Sequence, residues 1–194
     1  MQRQLAAFVN EPGRTTYLAA REAVLRRSAI PLSALDLADL ARLLAEGQHE
    51  ALLDRIDALP PSKVLSPRVH YLAAEAADAL RDSETSEIER SLFVLVLQGL
   101  LSTGSGTQQS PYVVCHASDE YDVLAALNLT PARQAVVEVQ GRFLDQVLCS
   151  DGREVWFDVR ELLSRPRPRP ATARPRRRRR PQPVGRARSA RSPR

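Results

Sequence analysis

Along the first hundred residues apolar side chains recur at helical spacing, and the breaks between runs fall at proline and glycine. Pro12-Gly13 is a turn signal, and Thr15 to Ser28 then sets Tyr17, Leu18, Val24 and Leu25 on one helical face with arginines opposite. Beyond Pro31, Ser33 can cap a helix in which Leu37, Leu40, Ala41 and Leu44 repeat at i, i+3, i+4 and i+7, closed by Gly47. Leu52, Leu53, Ile56 and Leu59 form the next stripe, which Pro60-Pro61 must end because proline lacks the amide and its ring clashes with the preceding turn. Ser66-Pro67 reads as a cap followed by proline at the first helical position. Val69, Leu72, Ala73, Ala76, Ala77 and Leu80 then make the cleanest amphipathic stripe in the chain.

Ser86 to Leu101 is apolar almost all round between Leu92 and Leu97; its length predicts a buried helix, with a strand as the alternative. Ser33 and Ser66 lie 33 residues apart, near the period of tetratricopeptide repeats. The large and small positions diagnostic of that repeat are mostly absent, so ordinary antiparallel helical hairpins are the competing reading.

From Ser102 the period changes. Ala135 to Val139, Arg142 to Leu148 and Arg153 to Val159 are rich in Val, Phe, Leu and Trp, and are separated by Gln140-Gly141 and by Ser150-Asp151-Gly152. Asp-Gly is a hairpin signal because both central residues of the favoured turn take positive φ. With Tyr112 to Ala117 these runs predict a small, mainly antiparallel sheet, half-buried under the helices, and Glu120 to Leu127 predicts a helix inside it. Arg160 to Ser164 completes the fold. The expectation is α+β in one domain of residues 1–164, with helical hairpins over 14–101 and the β-rich part over 102–163.

Charge divides the chain a second time. It carries +5 formally, but residues 165–194 hold 13 of its 28 basic residues, 7 of its 14 prolines, no acidic residue and no aromatic. The body is left with 15 basic against 23 acidic residues, a formal charge of −8. A segment so poor in apolar area cannot repay the entropy of ordering, so 165–194 is expected to be a disordered tail. Cys115 and Cys149 form neither a CxxC pair nor a disulfide framework. The first residues lack the apolar core of an export signal, and the most apolar run is too short to span a bilayer. A cytoplasmic protein without a membrane partner is expected.

The stretch Ser102 to Leu129 holds the candidate chemistry. Thr103, Gly104, Ser105 and Gly106 form a candidate anion loop, since glycines let backbone amides approach a phosphate. The order helix, loop, strand is the reverse of the phosphate-binding arrangement, so a helix-to-strand turn is the alternative. His116, Asp119, Glu120 and Asp122 are the densest set of metal-ligand types, able in principle to hold a divalent ion. Equally, Ser118 or Asp119 can cap the adjoining helix, with acidic residues complementing its dipole. Tyr112 and Tyr121 read as packing residues with hydroxyls at the edge, His70 as a satisfied helix residue, and Cys115 as core. No nucleophile-elbow spacing selects a triad.

These same residues carry a resemblance. Ser102, Thr103, Gly104 and Gly106, then Glu120, Tyr121, Asp122 and Leu124, then Trp156, Phe157, Arg160 and Leu162 resemble the pattern of an uncharacterised bacterial family, domain of unknown function 4919, over residues 99 to 163. Members of that family place His immediately before the Glu-Tyr-Asp, where this chain has Asp119. The resemblance implies a bacterial source and no activity.

The tail, with Arg176, Arg177, Arg178, Arg179 and Arg180 at its centre, suits non-specific association with nucleic acid through phosphate pairing. It has no aromatics to stack on bases, and low-complexity polyproline character is the competing reading. With no catalytic constellation and no cofactor motif, the leading expectation is a non-catalytic module whose partner is another protein. A small-molecule-binding or hydrolytic site within 102–122 is the alternative.

Overall fold

The computed structural model describes residues 1–27, 34–160 and 162. The cap expected at Ser33, most of 160–164 and the Arg/Pro tail, including Arg176 to Arg180, lie outside the described residues. The fold is α+β, with seven α-helices and one four-stranded mixed sheet among those residues.

Helix α1 (Gln2–Asn10) was not foreseen from the sequence. Nine residues are too few to be helical alone in water; α1 forms because Phe8 is buried against the Tyr17 ring, centroids 5.4 Å apart and nearly perpendicular. Tyr17 sits on α2 (Arg14–Arg27), with Ala20 and Val24 buried on the same side. The two rings seat on α6 (Ser83–Leu101) at Gly99, where a Cβ would stand 2.5 Å from the Tyr17 ring and 2.6 Å from that of Phe8. Gly99 is a packing residue of a continuous helix.

Helices α3 (Ala34–Ala45), α4 (His49–Asp57) and α5 (Pro67–Ala79) gather Leu40, Leu43, Leu52, Ile56, Leu59, Val69, Leu72, Ala73 and Ala76 into one core. Gly47 ends α3 as expected: its φ is +70°, its amide donates to Leu44 O, and the Gln48 amide donates to Leu43 O, the doubly bonded glycine stop. Pro61–Leu65 form a 3₁₀ turn, and the Ser66 hydroxyl accepts from the Val69 amide at 3.4 Å with Pro67 at the first helical position. Between α5 and α6 the same stop is built with Arg81 at φ 61° in place of glycine, and the Asp82 carboxylate caps α6 through the Thr85 amide. The two hairpins are unequal, with helices of 12 and 9 residues against 13 and 19, so no single repeated unit builds them.

A second core unites α1, α2, α6 and α7 (Ser118–Ala126) with the sheet, whose strands are β1 (Tyr112–Val113), β2 (Pro131–Val139), β3 (Arg142–Cys149) and β4 (Glu154–Asp158). Their order is β1-β4-β3-β2, antiparallel except for β1 alongside β4. β1 keeps only two of the six residues expected to be extended. Carbonyls flanking it turn to α2: Arg21 donates to Val114 O, just after β1, through Nε at 3.0 Å and Nη2 at 2.8 Å, and Arg14 to Thr103 O, after α6. β4 is buried on both faces, from Val155 to Asp158, rather than half-covered. The turn with two positive φ values falls at Gln140-Gly141, whereas at Asp151-Gly152 only Gly152 takes one.

Candidate functional site

Of the four residues that the sequence sets side by side, Asp119, Glu120 and Asp122 are separated by the helix that carries them, and His116 precedes it. Successive helical residues project roughly 100° apart, so neighbours in sequence do not converge. His116, 2% exposed, donates from Nε2 to Ser62 O at 2.9 Å. Asp119, fully buried, turns back: its Oδ2 accepts from the amides of Cys115 and His116, each at 2.8 Å, while its own amide donates to His116 O. Neither Ser118 nor Asp119 is the N-cap expected from the sequence: Ala117 holds that position without a side-chain cap, and Asp119, inside the first turn, ties down the chain before the helix instead. Burial pushes the Asp119 carboxyl up to about 8 despite those two amides, with Asp122 adding to the rise. Beside it, burial and the charge of Asp119 raise the Tyr17 hydroxyl.

Glu120 faces the sheet. Its Oε2 accepts from Gln134 Nε2 at 2.8 Å, and the same amide donates to Asp145 Oδ2 at 2.6 Å. Burial, then the Asp145 carboxylate in hydrogen-bond contact, lift Glu120 to about 8. The Tyr121 hydroxyl completes the set by donating to Gln134 Oε1 at 3.0 Å. Asp122 faces α5, where its Oδ1 accepts from Nε of Arg68 at 2.8 Å and from Nη2. Burial raises the Asp122 carboxyl more than Arg68 lowers it. Among the described residues no group of three or more His, Cys, Asp or Glu converges as a metal would require.

The 103–106 loop is engaged inward. Thr103 Oγ1 donates to Leu100 O at 2.6 Å and accepts from the Val113 amide at 2.8 Å, and the Ser105 amide donates to Ser110 O. Gly104 is packed so closely on backbone that a Cβ would lie 2.6 Å from Ser110 O. Gly106 O accepts from the Trp156 amide at 2.9 Å, extending the sheet past β1. The loop joins helix to strand, and the amides of Thr103 and Ser105 are spent on the fold.

What the sequence did not reveal is a cleft of about 280 Å³ where α3, α5 and α7 meet. Leu37, Ala38, Ala41 and Leu72 give it an apolar floor; Arg68, Tyr71, Ser118 and Tyr121 stand around it. Tyr71 and Tyr121 are 44% and 47% exposed, and Tyr71 leans on Phe93 of α6 with centroids 6.2 Å apart. The Arg68 side chain is 42% exposed while Asp122, which fixes it, is buried. Only the i, i+3, i+4 spacing of Arg68, Tyr71 and Leu72 hinted that one face of α5 serves this cleft. Among the described residues no helix is long and apolar enough to cross a membrane. Compared with known proteins, the chain is matched by no family model, no curated protein and no solved structure.

Proposed function

We propose that the protein is a non-catalytic interaction module that holds a segment of another protein in the α3–α5–α7 cleft. The observation that carries this is the lining: an apolar floor under two half-exposed tyrosines and one arginine, the side chains that most often dominate binding energy at protein interfaces. Tyrosine offers large contact area at little conformational cost, and Arg68 is already oriented by Asp122. A hydrolytic site within 102–122 has less support, because His116, Asp119, Glu120 and Asp122 each engage a different partner. The likeness of residues 99–163 to the bacterial family belongs with this reading and adds no activity to it.

A photo-crosslinking residue in place of Tyr71, in the full chain and in its own host cells, tests the reading. A discrete polypeptide should couple from position 71 and not from Val136 on β2, and the adduct should fade when Ala41, an exposed residue of the cleft, becomes Asp. Equal labelling from both positions would overturn it.

A further inference from the structure

The helices that wall the cleft are acidic. Together α3, α5 and α7 carry seven acidic residues against two arginines, and with the buried Asp119 and Glu120 left aside the excess is still five against two. Arg68 does not reverse this, because Asp122 takes its Nε and Nη2. Glu75 stands one helical turn beyond Tyr71 on the same side of α5 and has no ion-pair partner among the described residues. The half-exposed rings of Tyr71 and Tyr121 add surfaces on which guanidinium groups stack. Charge and ring chemistry therefore both select a cationic, arginine-bearing occupant.

The chain carries such a segment. Arg174 to Pro183 holds six arginines and three prolines in ten residues, and no acidic residue follows Glu161. Resting on the reading of the cleft as a seat for a polypeptide segment, we propose that in the isolated molecule this seat is taken by the chain's own Arg174 to Pro183, which a partner must displace. Reach allows it. Leu162 is packed against the core, and at about 3.1 Å per residue in polyproline form the fourteen residues from there to Arg176 span about 43 Å. That is nearly three times the radius of gyration of a body of this size, about 15 Å. The walls also suit it. They are helix faces, whose backbone groups bond within their own helices and offer an incoming strand no ladder, whereas a polyproline-like segment keeps its backbone solvated and needs none. Prolines in the segment lower the entropy lost on docking, and Leu37, Ala38, Ala41 and Leu72 give their rings and the arginine stems an apolar floor.

The test places a photo-crosslinking residue at Ala38, exposed on the cleft, in the purified full chain at micromolar concentration. The product should keep the mass of one chain. Cleavage at acidic residues leaves everything after Glu161 in one piece, and mass spectrometry should find position 38 joined to that piece, with no such product from position 136. Raising salt from about 50 to 500 mM should reduce the adduct several-fold, since the attraction is between charges near the surface. Glu75→Gln and Tyr71→Ala should each reduce it at low salt, and glutamine in place of all five of Arg176 to Arg180 should remove most of it. Absence of the tail adduct, or its persistence after those five replacements, overturns the proposal. A product of twice the chain mass overturns it too, by assigning the segment to the cleft of a second copy. If the tail adduct is absent while position 71 still captures a polypeptide in cells, the interaction reading stands alone; if only the tail adduct forms, the internal contact stands and the external partner falls.

Discussion

Glu120 and Asp145 meet as two buried carboxyl groups between α7 and β3, with one Gln134 amide donating to both. Burial and the neighbouring Asp145 charge both disfavour ionised Glu120, which is why its carboxyl is raised to about 8 at the α7–sheet contact. The groups around Glu120 are Gln134 from β2, Asp145 from β3, and Asp119 and Tyr121 from α7 itself. None of these is a cation.

The pH dependence of stability has a definite sign. Asp119 and Glu120 are both held near 8 in the fold, against about 4 in the unfolded chain. A carboxyl raised on folding contributes fully below its unfolded value, and that contribution is lost as pH rises toward the folded one. Stability should therefore decline between about pH 4 and pH 8, each group weighing roughly 1 kcal/mol per pH unit at most, and level off above. Asp158 acts oppositely at the acid end: burial alone would raise it, but Arg160 and Arg142 bring it below its ordinary value, so its contribution disappears as pH falls. Thermal unfolding from pH 2 to 9 covers both limbs, and Glu120→Gln should shallow the decline above pH 4 by about half and raise the melting temperature at pH 8. An unchanged slope in that variant would contradict the raised Glu120 carboxyl.

Asp119 is expected to tolerate one substitution and not another. Asparagine keeps an oxygen for the Cys115 and His116 amides and removes the ionisable group, so Asp119→Asn should lie within about 1 kcal/mol of the parent. Asp119→Ala orphans two buried amides at about 1–3 kcal/mol each and should approach the full stability of a domain this size. Urea unfolding of both variants separates these outcomes.

At Gly99 two tendencies compete. Alanine is the better helix former by about 1 kcal/mol, yet its Cβ would press into the rings of Phe8 and Tyr17, and overpacking of that kind costs about 1–3 kcal/mol. The rings come from two other helices and are fully buried, so the clash should prevail. Gly99→Ala should lower stability and increase amide exchange in α1 before it does so elsewhere.

Arg81 offers the converse. Its φ of 61° is left-handed, where a side chain costs about 1 kcal/mol that glycine avoids. Arg81→Gly should raise the melting temperature by a few degrees, readable by calorimetry, with the α5–α6 connection unchanged.

Most of the helical half was legible because its stops are chemical: Pro60-Pro61, Ser66-Pro67 and Gly47 act through local backbone constraints that sequence displays directly. α1 escaped because its stability comes from Tyr17 and Gly99, not from its own nine residues. The hairpins of β2, β3 and β4 were visible in their turns, whereas the parallel contact of β1 with β4 joins Tyr112 to Phe157 and has no local mark. At the candidate site, adjacency misled: Asp119, Glu120 and Asp122 look like a cluster in print and take different partners on a helix. The residues that matter there, Arg68 and Asp145, arrive from 54 positions before Asp122 and 25 after Glu120.

The two margins of the sheet differ in length. One is β1, of only two residues, with the carbonyl of the next residue, Val114, taken by Arg21 of α2. The other is β2, nine residues long and solvent-facing along most of its length, with Val136 half uncovered and its outer margin without a neighbouring strand among the described residues. That long exposed margin is where backbone pairing with another chain has most to bond, and Arg133 and Glu138 are the charged side chains it carries, of the kind that discourage such pairing.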